Sequence, residues 1–244
     1  NAQRTLILGR AGTEEPVLFT VREDFSLGSS SNAWGPVNVN ADWNVLVANG
    51  KTLNVYGALN SSGRTITVGG EGFSGTLVLN NAANASMTAE WVITSGSTVR
   101  CMNNSALGSG LVTLDGGTLD FNSQTIGSTI TLNMSGTGTL QNVTVDGAIL
   151  SYTSSSGNDG ITASNTTWTS GKIDIGRLLQ GFSAEGSNTV DLGAELGEGF
   201  SVLGLDTGQY RIEGSVLTIE DGAISSVTWV SAGAGGALEE TVKN

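Results

Sequence analysis

The chain has 244 residues, 22 acidic against 10 basic side chains, a net charge of −12 and no histidine. That balance argues against nucleic acid as a partner, because such binding rests on Lys and Arg neutralising phosphates, and against anionic membrane surfaces. No apolar run approaches the roughly 18–20 residues of a spanning helix, and the lack of imidazole removes Ser-His-Asp, Cys-His and most zinc chemistry.

Thirty-six glycines with only two prolines, Pro16 and Pro36, predict many short strands joined by tight turns rather than long helices. Residues 1–35 are expected to form an N-terminal cap: Thr5-Leu6-Ile7-Leu8 and Val17-Leu18-Phe19-Thr20-Val21 read as two strands joined by the polar turn from Gly12 to Glu15. A stack of strands exposes an open edge at its end, and a covering segment is expected there.

Residues 36–185 read as a β-helix, and within them, between Thr52 and Leu140, a phrase recurs, Thr-hydrophobic-x-hydrophobic. It appears as Thr52-Leu53-Asn54-Val55, Thr65-Ile66-Thr67-Val68, Thr76-Leu77-Val78-Leu79, Thr98-Val99-Arg100-Cys101, Thr118-Leu119-Asp120-Phe121 and Thr129-Ile130-Thr131-Leu132. A half-unit of roughly 10–11 residues implies a coil of roughly 20–22, the size of a parallel β-helix rung. The period-two alternation turns Leu53, Val55, Ile66, Val68, Leu77, Leu79, Leu119, Phe121, Ile130 and Leu132 inward and leaves a polar Thr, Asn and Asp surface outside. Turns are expected at Asn49-Gly50, Gly69-Gly70, Asn80-Asn81, Gly116-Gly117 and Gly136. The one cysteine, Cys101, occupies an inward position and reads as a buried, inert thiol.

The stretch Gly110-Leu111-Val112-Thr113-Leu114-Asp115-Gly116-Gly117-Thr118-Leu119-Asp120-Phe121 resembles the autotransporter-associated β-strand repeat, and the likeness covers roughly residues 50–150. That resemblance implies an all-β, right-handed parallel β-helix exported to the bacterial surface as a passenger or secreted relative, serving as an adhesin or carrying an enzyme. No leader pattern appears at Asn1, but a chain that does not start with Met says nothing about export on that account.

After Gly157 the pattern loosens; Trp168 to Ile175 reads as another rung and Leu178-Leu179-Gln180 as a short helical turn. Residues 186–232 read as an antiparallel β meander, with strands at 189–192, 200–205, 210–213, 216–219 and 224–230, followed by a mobile tail over 233–244.

Chemistry without histidine would fall to carboxylates or a lysine. Leu205-Asp206-Thr207-Gly208 resembles the Asp-Thr-Gly element of aspartic proteases, a likeness that implies Asp206 as catalytic acid with Thr207 and Gly208 shaping its loop. Gln209 stands where Ser or Ala is usual and no second such element follows, so a partner carboxylate would come from Asp191, Asp221 or a homodimer. A plain β-turn is the other reading, since Asp and Gly favour turns. Asp115 with Asp120, and Glu195 with Glu198, are further carboxylate pairs of the kind a glycosidase needs, or solvated turn residues. No loop has the spacing of a defined calcium motif, so no metal is assigned, and no cofactor is implied.

Trp34, Trp43 and Trp168, set among polar residues, are candidates for stacking on sugar rings; Trp91 and Trp229 read as core. The expected protein is thus a secreted or surface-exposed β-helix engaging extracellular glycan or mucin-like glycoprotein. The alternatives are an aspartic-type endopeptidase centred on Asp206 and a structural spacer with no site.

Overall fold

A strand with alternate apolar residues must cover one face, and a chain of such strands can do so by winding round a shared interior. The computed structural model describes residues 5–10, 12, 15–31, 35–94, 96–135, 138–152, 162–174, 186–192, 194–223, 229–231 and 238–240. It is a parallel β-solenoid of about six turns with a small antiparallel sheet near the C-terminus.

Strands β1 (Leu6–Leu8), β2 (Val17–Val21) and β3 (Phe25–Leu27) make the first turn, and β4 (Val37–Val39), β5 (Trp43–Val47) and β6 (Thr52–Val55) the second. Next come β7 (Leu59–Val68) and β8 (Thr76–Leu79), a 3-10 turn at Ala82–Ser86, then β9 (Thr88–Thr94) and β10 (Thr98–Cys101). The winding continues through β11 (Gly110–Asp115), β12 (Thr118–Ile126), β13 (Ile130–Ser135), β14 (Thr139–Tyr152) and β15 (Thr162–Asp174). The C-terminal strands are β16 (Asn188–Asp191), β17 (Gly199–Val202), β18 (Tyr210–Glu213), β19 (Val216–Ile219), β20 (Trp229–Ser231) and β21 (Leu238–Glu240).

The recurring phrase is explained by register. Thr52, Thr76, Thr98, Thr118, Thr139 and Thr162 lie directly over one another, each a Cα partner of the next. The residue after each threonine forms a second column pointing inward, in which Leu53, Leu77, Val99, Leu119 and Leu140 are all fully buried. The intervening phrase at Thr65 belongs to a different column, where Ile66 stacks between Trp43 and Trp91, and Val112 and Leu132 continue it. The half-unit is therefore one strand, and one turn holds two such phrases on separate faces. Every residue expected to point inward is buried, from Leu53 to Leu132. Each such side chain contributes about 1.5–3 kcal/mol by leaving water.

Stacking at strand spacing leaves no room for side chains at some corners. A Cβ at Gly117 would stand 2.5 Å from both the Ile93 carbonyl oxygen and its Cγ2, and one at Gly75 2.5 Å from the Ala48 carbonyl. Other corners are turned by left-handed asparagines: Asn122, Asn142 and Asn165 have φ of 48°, 53° and 52°, a conformation Asn tolerates better than most residues.

Two expectations change. The two N-terminal strands joined by the polar turn do not pair with each other: β1 pairs in parallel with β4 and β2 with β5, so they are the first turn of the solenoid. Leu8, Val21 and Leu27 fall on the inward positions and are buried by this stacking, while Ile7, Leu18 and Phe25 stay exposed. The C-terminal meander is smaller than expected, because β17 joins β15 in parallel and extends the solenoid. What remains antiparallel is the sheet β16-β19-β18 and the pair β20-β21, the latter reaching into the segment expected as a tail. The Leu178-Leu179-Gln180 turn and Gly136 lie outside the described residues. Among the described residues no helix is long and apolar enough to cross a membrane.

Candidate functional site

Asp206 sits at the start of a β-turn. Its backbone carbonyl accepts the Gln209 N–H at 3.0 Å, its own N–H donates to Gln209 Oε1 at 2.7 Å, and Gly208 supplies the positive φ of 99°. Gln209, where an aspartic protease has Ser or Ala, thus closes the turn on itself. Asp206, Thr207 and Gly208 are all exposed. Asp191 is remote: it pairs with Val216 at one end of the three-stranded sheet, while Asp206 leads into Tyr210 opposite Ile219 at the other. Asp221 shares the Asp206 end, and its Oδ1 accepts the Gly186 N–H at 2.8 Å.

The tryptophans divide differently from expectation. Trp43 is fully buried, stacked in register with Ile66 and edge-on to Phe19 at 6.2 Å between ring centroids. Trp168 is 5% exposed and packs near Phe200, with its indole N–H donated to Thr166 Oγ1 at 2.9 Å. Neither ring offers a face to a sugar, because both fall on inward positions of their strands, where the apolar column outweighs the polar neighbours in sequence. Trp91 is core, as expected. Trp34 lies outside the described residues, and so does the side chain of Trp229.

Of the carboxylate pairs, Asp115 is exposed whereas Asp120 is 3% exposed. Asp120 accepts from Arg100 Nε at 2.9 Å, from the Asn122 N–H at 2.9 Å and from Asn142 Nδ2 at 3.0 Å. Burial pushes its pKa up, but these donors outweigh burial and hold the carboxyl below its ordinary value. A carboxylate so occupied braces a corner of the solenoid. The chain of amides continues as Asn165 Nδ2 donates to Asn142 Oδ1 at 2.9 Å. Glu195 and Glu198 are both exposed. Among the described residues no three metal-ligating side chains converge.

A concavity lies elsewhere, on the flank of the first turns. It is an open trough of about 400 Å³ lined by Gly12, Asn38, Val39, Asn40, Asn60 and Ser61, and by Ser62, Arg64, Ser86 and Met87. Parallel pairing of β4 on β7 sets Asn38 beside Asn60, and Asn60 Nδ2 donates to Asn38 Oδ1 at 3.0 Å. The strand then slips register between Ser62 and Arg64, with Gly63 at φ 63°, which bends the chain and sets Arg64 on the trough wall. Ser61 has a buried hydroxyl with no hydrogen-bond partner. The trough therefore combines amide donors and acceptors, hydroxyls and one guanidinium over a floor backed by the buried Val39 and Met87. That composition suits a polyhydroxylated ligand, whose vicinal hydroxyls each donate and accept.

The sequence reading missed this trough because its residues are ordinary outward Asn and Ser of separate strands. Only the slip at Gly63, a glycine and an arginine interrupting the polar alternation of Leu59 to Val68, marks it in the sequence. It also missed Asn84, 1% exposed, which bridges neighbouring turns by accepting the Leu59 N–H at 2.8 Å and donating to the Ala106 carbonyl at 2.7 Å. No protein-family model matches the chain, and neither a curated protein nor a solved structure is significantly similar to it.

Proposed function

We propose that this is a secreted or surface-exposed β-solenoid that binds extracellular glycan, of the kind carried by mucin-like glycoprotein, in the trough between Asn38 and Met87. The observation that carries the reading is the trough itself: about 400 Å³, open along its length, walled by Asn38, Asn40, Asn60, Ser62, Ser86 and Arg64. Small-molecule sites typically measure roughly 300–1,000 Å³, and an open polar one suits part of a chain better than an enclosed metabolite. Export is supported by the resemblance of Gly110 to Phe121 to passenger repeats. A stacked core that needs no disulfide, with its one cysteine buried, is compatible with work outside the cell.

The rival hydrolase centred on Asp206 gains no support from its exposed, self-closed turn, and the account is of binding without turnover. The test is capture of a mucin-type glycoprotein by the wild-type chain and by Ser62→Trp, an exposed position where an indole fills the trough. Capture by the wild type, abolished by Ser62→Trp and by enzymatic removal of the glycans from the ligand, is expected. Equal capture by both proteins, or capture that survives deglycosylation, overturns the proposal.

A further inference from the structure

Three cations of this strongly acidic chain are held in ion pairs. Lys51 contacts Glu23 at 2.6 Å, Arg100 contacts Asp120 at 2.9 Å, and Arg211 contacts Glu213 at 3.1 Å. Arg22, Arg64 and Lys172 make no ion pair among the described residues, and of these Arg64 alone is half-buried, in the trough wall, while the other two are exposed. Two carboxylates stand in the neighbouring column, Asp42 and Glu90, each a strand partner or near neighbour of Thr65. Asp42 is turned to the backbone, its Oδ1 accepting the Thr65 N–H at 3.0 Å, and neither forms an ion pair with Arg64. A guanidinium set among Asn38, Asn60, Ser62 and Ser86, with no acid of its own, has five N–H donors arranged for a planar or tetrahedral oxyanion.

We infer that the trough selects acidic glycans, with Arg64 receiving the oxyanion of a carboxylate-bearing or sulfated sugar while the asparagine amides hold the neutral hydroxyls beside it. The inference rests on the glycan-binding reading above and adds the ligand's charge class to it. The net charge of −12 opposes an anion's approach, but at physiological salt charges beyond about 8 Å are largely screened. Direct contact with a guanidinium is not, since a charge-assisted bidentate pair is about twice as strong as a neutral hydrogen bond. The local contact therefore decides the outcome. Sulfate ester and sugar carboxylate share this chemistry, and the experiment separates them.

Binding is measured by titration calorimetry on matched oligosaccharides, one neutral, one carboxylate-capped and one sulfated, with the wild-type chain, Arg64→Gln and Arg64→Lys. The wild type is expected to bind one or both acidic members at least about tenfold tighter than the neutral one. Arg64→Gln is expected to bring the ratio of acidic to neutral affinity down to about one, whatever it does to neutral binding itself, and Arg64→Lys falls between because it keeps charge without the fork. Melting temperatures of the variants confirm folding. Equal wild-type affinity for acidic and neutral members, or an unchanged preference in Arg64→Gln, overturns the inference and leaves the glycan-binding reading standing. Failure of all three ligands to bind removes both.

Discussion

Replacing Asp120 with alanine removes the acceptor of three hydrogen bonds at once, from Arg100, the Asn122 backbone and Asn142. The Arg100 side chain is 45% exposed, so solvent screens that contact and its share is about 0.5–1 kcal/mol. The two amide donors lose about 1 kcal/mol each, with more for any left buried and unpaired. Together the loss is about 2–4 kcal/mol, which for a chain of this size lowers the melting temperature by about 5–12 °C. The pH dependence carries a sign. The folded carboxyl sits below its ordinary value, so its stabilisation is complete above about pH 4 and is lost as pH falls through the depressed folded value. Melting curves of wild type and Asp120→Ala from pH 8 to pH 2.5 are expected to show a constant gap down to about pH 4 and a shrinking gap below it. A gap under about 1 °C at pH 7, or one that stays constant through pH 2.5, refutes the reasoning.

Gly117→Ala places a methyl 2.5 Å from the Ile93 carbonyl in the turn before it, and a loss of about 1–3 kcal/mol by denaturant titration is expected; a neutral effect would show that the turns separate easily. Cys101 is fully buried and its thiol is pushed above its ordinary pKa, first by desolvation and then by Asp120, so a thiol reagent at pH 8 is expected to label it only after denaturation. Asp206→Asn, at an exposed turn, is expected to leave the melting temperature unchanged, within about 0.5 kcal/mol. Neither it nor the wild type should cleave mucin-type glycoprotein between pH 3 and 8, and turnover lost in the variant would restore the hydrolase.

What the sequence made legible was whatever depends on neighbours along the strand. The Thr52, Thr76, Thr98 and Thr118 phrases announced the alternation that buries Leu53, Leu77, Val99 and Leu119, and coil length followed from their spacing. What it could not show depends on which turn lies beside which. Trp43 among Asn and Asp looks exposed until β5 is set on β7 and the indole falls in column with Ile66. Asp120 reads as a solvated turn acid until Asn142, 22 residues on, is stacked beneath it. The trough needs Asn38, Asn60 and Ser86 brought together from three turns, and no local pattern ties those positions. Residues 5–8 carry the solenoid's own phrase, Thr5-Leu6-Ile7-Leu8, and only the pairing of β1 on β4 and β2 on β5 shows that they are its first turn.

The account stands most directly on where a glycan touches the chain. Backbone amide chemical shifts, recorded while mucin-derived oligosaccharide is titrated into the isotope-labelled protein, locate that contact residue by residue. The account predicts changes confined to Asn38 to Asn40, Asn60 to Arg64 and Ser86 to Met87, saturating together. Changes centred on Asp206 and Asp221, or no changes at saturating ligand, would contradict it.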